Sequence, residues 1–263
     1  MTGTADRVAV ITGAGRGIGA ATARRLAADG WRLVLVDRCA DDPALDYPLA
    51  TRAELDAVAD ACGAVGVVAD VRDQDALDGA VAIAVERFGG LDAALAVAGC
   101  IAGGRRAWET GDAAWSAMLD VNVTGVWRLA RAAVPVMLER PAPRQGRFVA
   151  VSSAGGTLGL PLLAAYSAAK HAVVGLVRSL AAELGPHGVT VNAVAPGSTA
   201  TRMLDASAAV YGLADTAEFA THHQLGRLVE ADEVAALIAW LCGPQSAAIT
   251  GAVLPVDAGM TAS

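Results

Sequence analysis

Short apolar runs, mostly β-branched, alternate along the chain with longer alanine-rich stretches, the pattern of strands buried on both faces and joined by crossover helices. The runs predict strands over residues 7–12, 32–36, 65–69, 93–97, 147–151, 190–194 and 253–256. Helices are expected over 17–29, 52–62, 74–88, 112–139, 162–184 and 231–241, where apolar positions recur at helical spacing. This is an α/β protein with a parallel sheet. No linker, charge run or fixed-period repeat divides residues 1–263, so a single domain is expected. Two segments break the rhythm: an insertion near 39–50, which holds Pro43 and Pro48, and residues 198–223 before the last helix. Loops of that length often carry function.

Composition narrows the classes. Hydrophobic residues make up 54% of the chain and mean hydropathy is +0.45, which calls for a search for membrane spans. None is found, because the longest uncharged stretches, 148–169 and 234–256, are interrupted by Gly155, Gly156 and Pro161 and by Gly243, Pro244 and Gln245. Twenty basic against 27 acidic residues give a net charge of −7, which argues against nucleic acid as a partner. The apolar run at 8–11 leads directly into glycines, so no secretory leader is read and a cytoplasmic location is expected. Cys39, Cys62, Cys100 and Cys242 lack metal-ligand or disulfide spacing, and reduced thiols are expected. His222 and His223 have no matching carboxylates, which leaves them as lid or surface residues rather than metal ligands. Trp108, Trp115 and Trp127 are expected in the core or an interface, not in a pocket wall.

The first strand runs through Thr12-Gly13-Ala14-Gly15-Arg16-Gly17-Ile18-Gly19 into a helix. In such a turn Gly13 can take positive φ, Gly17 lets the backbone approach a pyrophosphate and Gly19 permits close helix packing, while free amides at the helix start face the phosphates. Asp37, at the end of the second strand, can accept hydrogen bonds from both adenosine ribose hydroxyls and would repel a 2′-phosphate, which favours NAD over NADP. Arg16 and Arg38 pull the other way, since either could pair with a 2′-phosphate. Asp70-Val71, after the third strand, places a second carboxylate where it could meet the adenine edge.

Tyr166 and Lys170 lie four apart in a helical stretch, so their side chains share one face. A phenol ionises too high to serve at neutral pH unless positive charge favours its phenolate, which Lys170 could supply. Such a Tyr can take the hydroxyl proton of an alcohol as its carbinol hydride leaves for a nicotinamide, or act in reverse on a ketone.

Taken together, Thr12 to Gly19, Asp37, Asp70, Asn122, Ser153, Tyr166, Lys170 and Pro196-Gly197 resemble the short-chain dehydrogenases/reductases over nearly the whole chain. The resemblance implies a single-domain Rossmann-like three-layer fold with a seven-stranded parallel sheet, and often a homotetramer. It implies that Ser153 bonds the substrate oxygen, that Tyr166 is the acid-base, that Lys170 holds the nicotinamide ribose, and that Asn122 holds a relay water. Ser152 is the competing serine, but neighbours on a strand face opposite ways, and the family spacing selects Ser153. Pro196, Gly197 and Thr201 resemble the segment beside the nicotinamide carboxamide. Ala96-Val97-Ala98-Gly99 departs from the Asn-Asn-Ala-Gly of many relatives; Ala98 and Gly99 keep the small turn past the adenosine ribose, but the strand-stabilising asparagine is missing.

The insertion, together with Ile101 to Gly104 and Trp108 to Thr110, is similar to the carveol-dehydrogenase-like subgroup associated with mycofactocin, whose members hold NAD without ready exchange. That resemblance implies a bound NAD covered by the insertion and reoxidised by mycofactocin or another redox carrier. Tyr47 could pack on adenine or on its own loop. Residues 198–223 supply Met203, Leu204, Val210, Tyr211, Leu213 and Phe219 for an apolar lid, which suits a small apolar secondary alcohol or ketone; Arg202 keeps a carboxylate substrate open. The rival readings are a freely exchanging NAD(P)-dependent ketoreductase and, less favoured because the acid-base set is complete, a non-catalytic dinucleotide sensor.

Overall fold

The computed structural model describes residues 7–262. Seven strands, β1 (Val8–Thr12), β2 (Arg32–Asp37), β3 (Val65–Val68), β4 (Ala93–Ala96), β5 (Gly146–Val151), β6 (Val189–Pro196) and β7 (Val253–Val256), form one parallel sheet in the order β3-β2-β1-β4-β5-β6-β7. Every predicted strand is present, with ends displaced by at most two residues. Eight helices connect them: α1 (Gly17–Ala28), α2 (Arg52–Cys62), α3 (Gln74–Phe88), α4 (Asp112–Leu119), α5 (Gly125–Leu138), α6 (Ala164–Leu184), α7 (Arg202–Tyr211) and α8 (Ala231–Cys242). Local chemistry marks the starts of several: Thr51 and Glu54 cap α2 reciprocally, and the Asp73 carboxylate accepts the Ala76 amide at the start of α3.

Strand alternation divides the core in two. Val8, Val10, Val34, Val36, Ala94 and Phe148 pack beneath α3, α5 and α6, whereas Ala9, Ile11, Leu33, Leu35, Leu95 and Val149 pack beneath α1, α2 and α8. Burying both faces supplies the apolar area that holds the three layers together. The chain reverses its progress across the sheet between β1 and β4, and their carboxyl ends therefore leave a crevice between diverging connections.

Two expectations are corrected. The helix expected over 112–139 is broken by a wide π-type turn, Asp120–Thr124, which separates α4 from α5. The segment 198–223 is not a loop throughout: it contains α7 and a 3₁₀ turn, Thr216–His222. Of the two places expected for the tryptophans the core is excluded, for Trp108, Trp115 and Trp127 are exposed on the chain, Trp108 by 78%, and none of them lines either cavity described below. The four cysteines are unpaired, and no helix among the described residues is long and apolar enough to cross a membrane.

Phe148 is fully buried at the centre of the first core face. Replacing it with alanine should cost about 3–5 kcal/mol of stability, read as a lower urea midpoint with an unchanged slope; a loss under about 1 kcal/mol would mean the sheet does not rest on this packing.

Candidate active site

The crevice is shaped by two turns that nearly touch. Gly13 has φ +69°, and a Cβ on it would stand 2.6 Å from the Ala98 Cα in the turn after β4; a Cβ on Gly19 would stand 2.0 Å from the Gly13 carbonyl oxygen. No side chain fits at either place, so α1 is drawn against the end of β1. Thr12 secures the same junction by accepting the amides of Val97 at 3.2 Å and Ala98 at 3.3 Å and donating to the Leu95 carbonyl at 3.4 Å. Sequence reasoning assigned Thr12 no role there; its place at the end of a buried strand beside a glycine was the available signal.

Helix α1 begins without a side-chain cap. Its N-cap residue, Arg16, sends its guanidinium to the Pro48 carbonyl at 2.6 Å, and its Nη1 is buried without a partner. Uncapped helix amides and an orphaned buried guanidinium nitrogen suit the oxygens of a pyrophosphate. Beside them is a cleft of about 420 Å³ lined by Gly13, Arg16, Gly17, Ile18, Gly19, Asp37, Arg38, Asp70, Val71, Ala98, Gly99 and Thr201, together with Asp42 and Tyr47 of the insertion. The donor set and the absent side chains fit a dinucleotide.

The insertion crosses the adenosine end of this cleft. Asp42, buried, binds Arg38 at 2.5 Å and Arg72 at 2.9 Å; Asp70 binds Arg72 at 2.7 Å and Arg38 at 3.2 Å. Burial pushes both carboxyls up, but the hydrogen bonds and positive charge around them outweigh it and hold each below the usual carboxylate range. Arg38 and Asp70 therefore line the cleft with their charges already matched, and neither Asp42 nor Arg72 was foreseen. Asp37 accepts the Gly15 amide at 2.9 Å, which fixes its carboxylate at the end of β2. Tyr47 does not pack on its own loop alone: it lines the cleft, its hydroxyl accepts the Ile101 amide at 3.0 Å, and it packs with Ala44 and Leu45 against the cluster that contains Tyr166.

A second cavity, of about 680 Å³, opens from the inner end of the first, and Ile18, Val97, Gly99, Thr201 and Met203 line both. Ser153, Tyr166, Lys170, Pro196 and Gly197 line its floor. Strand alternation separates the two serines: the Ser152 hydroxyl donates to the Lys170 carbonyl at 3.0 Å, whereas Ser153 accepts the Gly155 amide at 3.1 Å and shares a hydrogen bond with Tyr166. Ser153 accepts from the main chain and so keeps its own hydrogen to donate. Burial pushes the Tyr166 phenol up, partly opposed by the bond to Ser153. Burial also brings Lys170 down to about 8. Its Nζ donates to the Val151 carbonyl at 3.0 Å and lies 5.7 Å from the centre of the Tyr166 ring, so it neighbours the phenol without bonding to it. With the chain's own groups alone, desolvation outweighs the bond to Ser153 and the phenol stays raised.

Asn122 lines neither cavity. It sits fully buried in the π-type turn, where its amide donates to the carbonyls of Cys100 and Met118 at 3.0 Å each and accepts the Cys100 amide at 3.2 Å. Its side chain staples the helix to the turn after β4, with both amide hydrogens and one lone pair of its oxygen engaged. Arg202 lines the cofactor cleft rather than the substrate cavity and reaches towards Glu54 at 3.9 Å.

A crevice of this kind takes a dinucleotide with its reacting end turned towards a serine and a tyrosine, which places the protein among the Rossmann-fold oxidoreductases. Comparison with known proteins narrows the class. A family model described as enoyl-(acyl carrier protein) reductase matches residues 13–261. A short-chain reductase of Streptomyces niveus is 42% identical, covering 97% of this chain and 94% of its own, and the (−)-trans-carveol dehydrogenase of Rhodococcus erythropolis is 38% identical with 97% of each covered. The structure of carveol dehydrogenase from Mycobacterium avium in complex with NAD superposes with a TM-score of 0.93 at 36% identity, covering 99% of both chains. The chain belongs to the short-chain dehydrogenase/reductase family and is an oxidoreductase.

The depressed pKa of Lys170 has a stability consequence. Between about pH 8 and the usual lysine range the folded protein binds fewer protons than the unfolded chain, so stability rises with pH through that window and the penalty is fully present below it. Lys170→Met should therefore stabilise the protein at pH 7 by on the order of 1–2 kcal/mol after the loss of the Val151 bond, with the gain vanishing near pH 10 and turnover lost. Denaturant titrations at both pH values check this; a variant less stable at pH 7 than at pH 10, relative to wild type, would reverse the sign.

Proposed function

We propose that the protein transfers hydride between NAD and a neutral, hydrocarbon-rich secondary alcohol or its ketone, and that it keeps the NAD bound through successive turnovers. The observation that carries the substrate class is the larger cavity: Leu160, Leu162, Leu163, Met203, Leu204 and Phe219 wall it, and among the described residues Lys170 is the only charged side chain that lines it. Neither an arginine nor a carboxylate meets a charged substrate there. The likeness to carveol dehydrogenases supports the same class.

Bound NAD would supply the hydride acceptor. The chain supplies the rest. Ser153 donates to the alcohol oxygen, Tyr166 takes the hydroxyl proton, and the positive charges of the neighbouring Lys170 and of an oxidised nicotinamide would together favour the ionised phenol that burial disfavours. In the reverse direction Tyr166 returns the proton to the carbonyl oxygen. The relay water that the family resemblance assigns to Asn122 would rest on its main chain or on the remaining lone pair of its side-chain oxygen, since both amide hydrogens are engaged.

NAD is favoured over NADP because Asp37 holds the place of a 2′-phosphate while Arg38 is neutralised by Asp42 and Asp70. Retention is supported by the insertion's ties on three sides, to Arg16, to Arg38 and Arg72, and to Ile101. A cofactor so held would be reoxidised in place by mycofactocin or a related carrier. We place the enzyme in the cytoplasm as a homotetramer, a reading supported by Ala168, Ala172 and Gly175, which are exposed on one side of α6 and permit close helix approach.

Denaturing freshly purified protein should release near-stoichiometric NAD(H), and the native enzyme should fail to exchange it with labelled NAD within an hour. An empty or rapidly exchanging site would instead indicate the freely exchanging ketoreductase. Asp42→Asn should speed exchange by about tenfold or more by leaving Arg38 and Arg72 without their shared carboxylate. Tyr166→Phe should lose about 10²–10⁴ in kcat on a secondary alcohol while retaining its NAD; undiminished turnover would remove Tyr166 from the mechanism.

A further inference from the structure

His223 is buried, unlike the other three histidines, and both of its ring nitrogens are engaged. Nε2 lies 3.1 Å from the Ser198 amide and Nδ1 lies 2.5 Å from the Arg227 carbonyl oxygen. An amide can only donate and a carbonyl can only accept, so the ring carries its hydrogen on Nδ1 and offers Nε2 as the acceptor. Neither bond belongs to a helix or a strand.

The two partners matter because of where they sit. Ser198 follows Pro196-Gly197 and lines the substrate cavity, which Phe219 and His222 at the end of the lid also line. Main-chain bonds already hold this segment to its neighbours: Gly197 donates to the Val256 carbonyl at 3.1 Å, and Val229 donates to the Ser198 carbonyl at 3.0 Å. Those bonds fix the segment to the sheet and to the strand-like stretch beyond the lid. The imidazole adds a tie from the segment to the end of the lid itself.

We infer that His223 is a positioning residue that joins the 196–198 segment to the end of the lid, so that the wall facing the reacting carbon and the wall facing the far end of the substrate move as one body. It touches no substrate. Its loss loosens the lid-side wall, which only an alcohol large enough to reach the lid can sense. The kinetic consequence rests on the dehydrogenase reading; the tie does not.

The test compares wild type with His223→Phe, His223→Ala and His223→Gln, since a glutamine side-chain oxygen can accept the Ser198 amide in place of Nε2. Amide hydrogen exchange of the full chain should be about tenfold faster over 197–200 in the Phe and Ala variants and close to wild type in the Gln variant. With a monocyclic ten-carbon secondary alcohol, KM should rise about tenfold in Phe and Ala and stay within about threefold in Gln, while KM for propan-2-ol stays within about twofold in all. Unchanged exchange in Phe and Ala, exchange in Gln as fast as in Ala, or equal KM increases for the two alcohols would overturn the inference. Should the wild type turn over neither alcohol while exchange separates Ala from Gln, the dehydrogenase reading falls and the tie stands.

Discussion

Everything at the site depends on the close approach of two turns at the carboxyl ends of β1 and β4. Gly13 meets Ala98, and Gly19 meets the Gly13 carbonyl, at separations that leave no room for a side chain. This contact draws the uncapped start of α1 to the mouth of the crevice, and it places the turn after β4 where Asn122 can clamp Cys100 and where Ile101 can meet Tyr47. Anion binding by helix amides requires the amides to be unpaired and the backbone to be approachable. Packing provides both conditions here, with Thr12 accepting the Val97 and Ala98 amides at the junction.

Charge is handled differently at the two ends of the crevice. At the adenosine end, two arginines and two aspartates match one another in a compact group, so a segment rich in acidic residues and prolines can lie against the body of the protein. Breaking one member of such a partly buried group costs more than the group contributes as a whole, because the remaining charges lose their partner. At the substrate end, a lysine and a phenol are buried together and both are destabilised in their charged forms. Stability is given up there for reactivity, as is usual where ionisable groups are held out of water.

The two cavities share Ile18, Val97, Gly99, Thr201 and Met203, so residues of the glycine turn, the β4 turn and the lid line the passage between them. The insertion and the lid also pack in one cluster with Tyr166, through Tyr47 on one side and Met203 and Tyr211 on the other. Segments distant in sequence thus meet around Tyr166, and the Tyr211 hydroxyl fastens the lid to the Pro161 carbonyl at 2.9 Å.

Local pattern was enough for the strands and most helices, because alternation and helical spacing are set by which faces must be buried, and for the glycine turn, Asp37, Tyr166 and Lys170, because their chemistry lies in spacing along one element or across one turn. The break at 120–124 was hidden, since a π-type turn keeps helical periodicity nearly intact on either side. Helix α7 was hidden by a stretch read as loop because it followed no strand-helix rhythm. Arg38, Asp42, Asp70 and Arg72 could not be read as one group from a chain in which the outer members stand 34 residues apart, and nothing local marked Tyr47 as the partner of Ile101 or His223 as the partner of Ser198. Sequence determined the elements, the turn and the chemical inventory of the site; which charges cancel, which hydroxyl faces the reacting oxygen and which loop fastens to which were decided by tertiary packing, because hydrogen bonds and ion pairs between distant segments exist only once the sheet has brought those segments together.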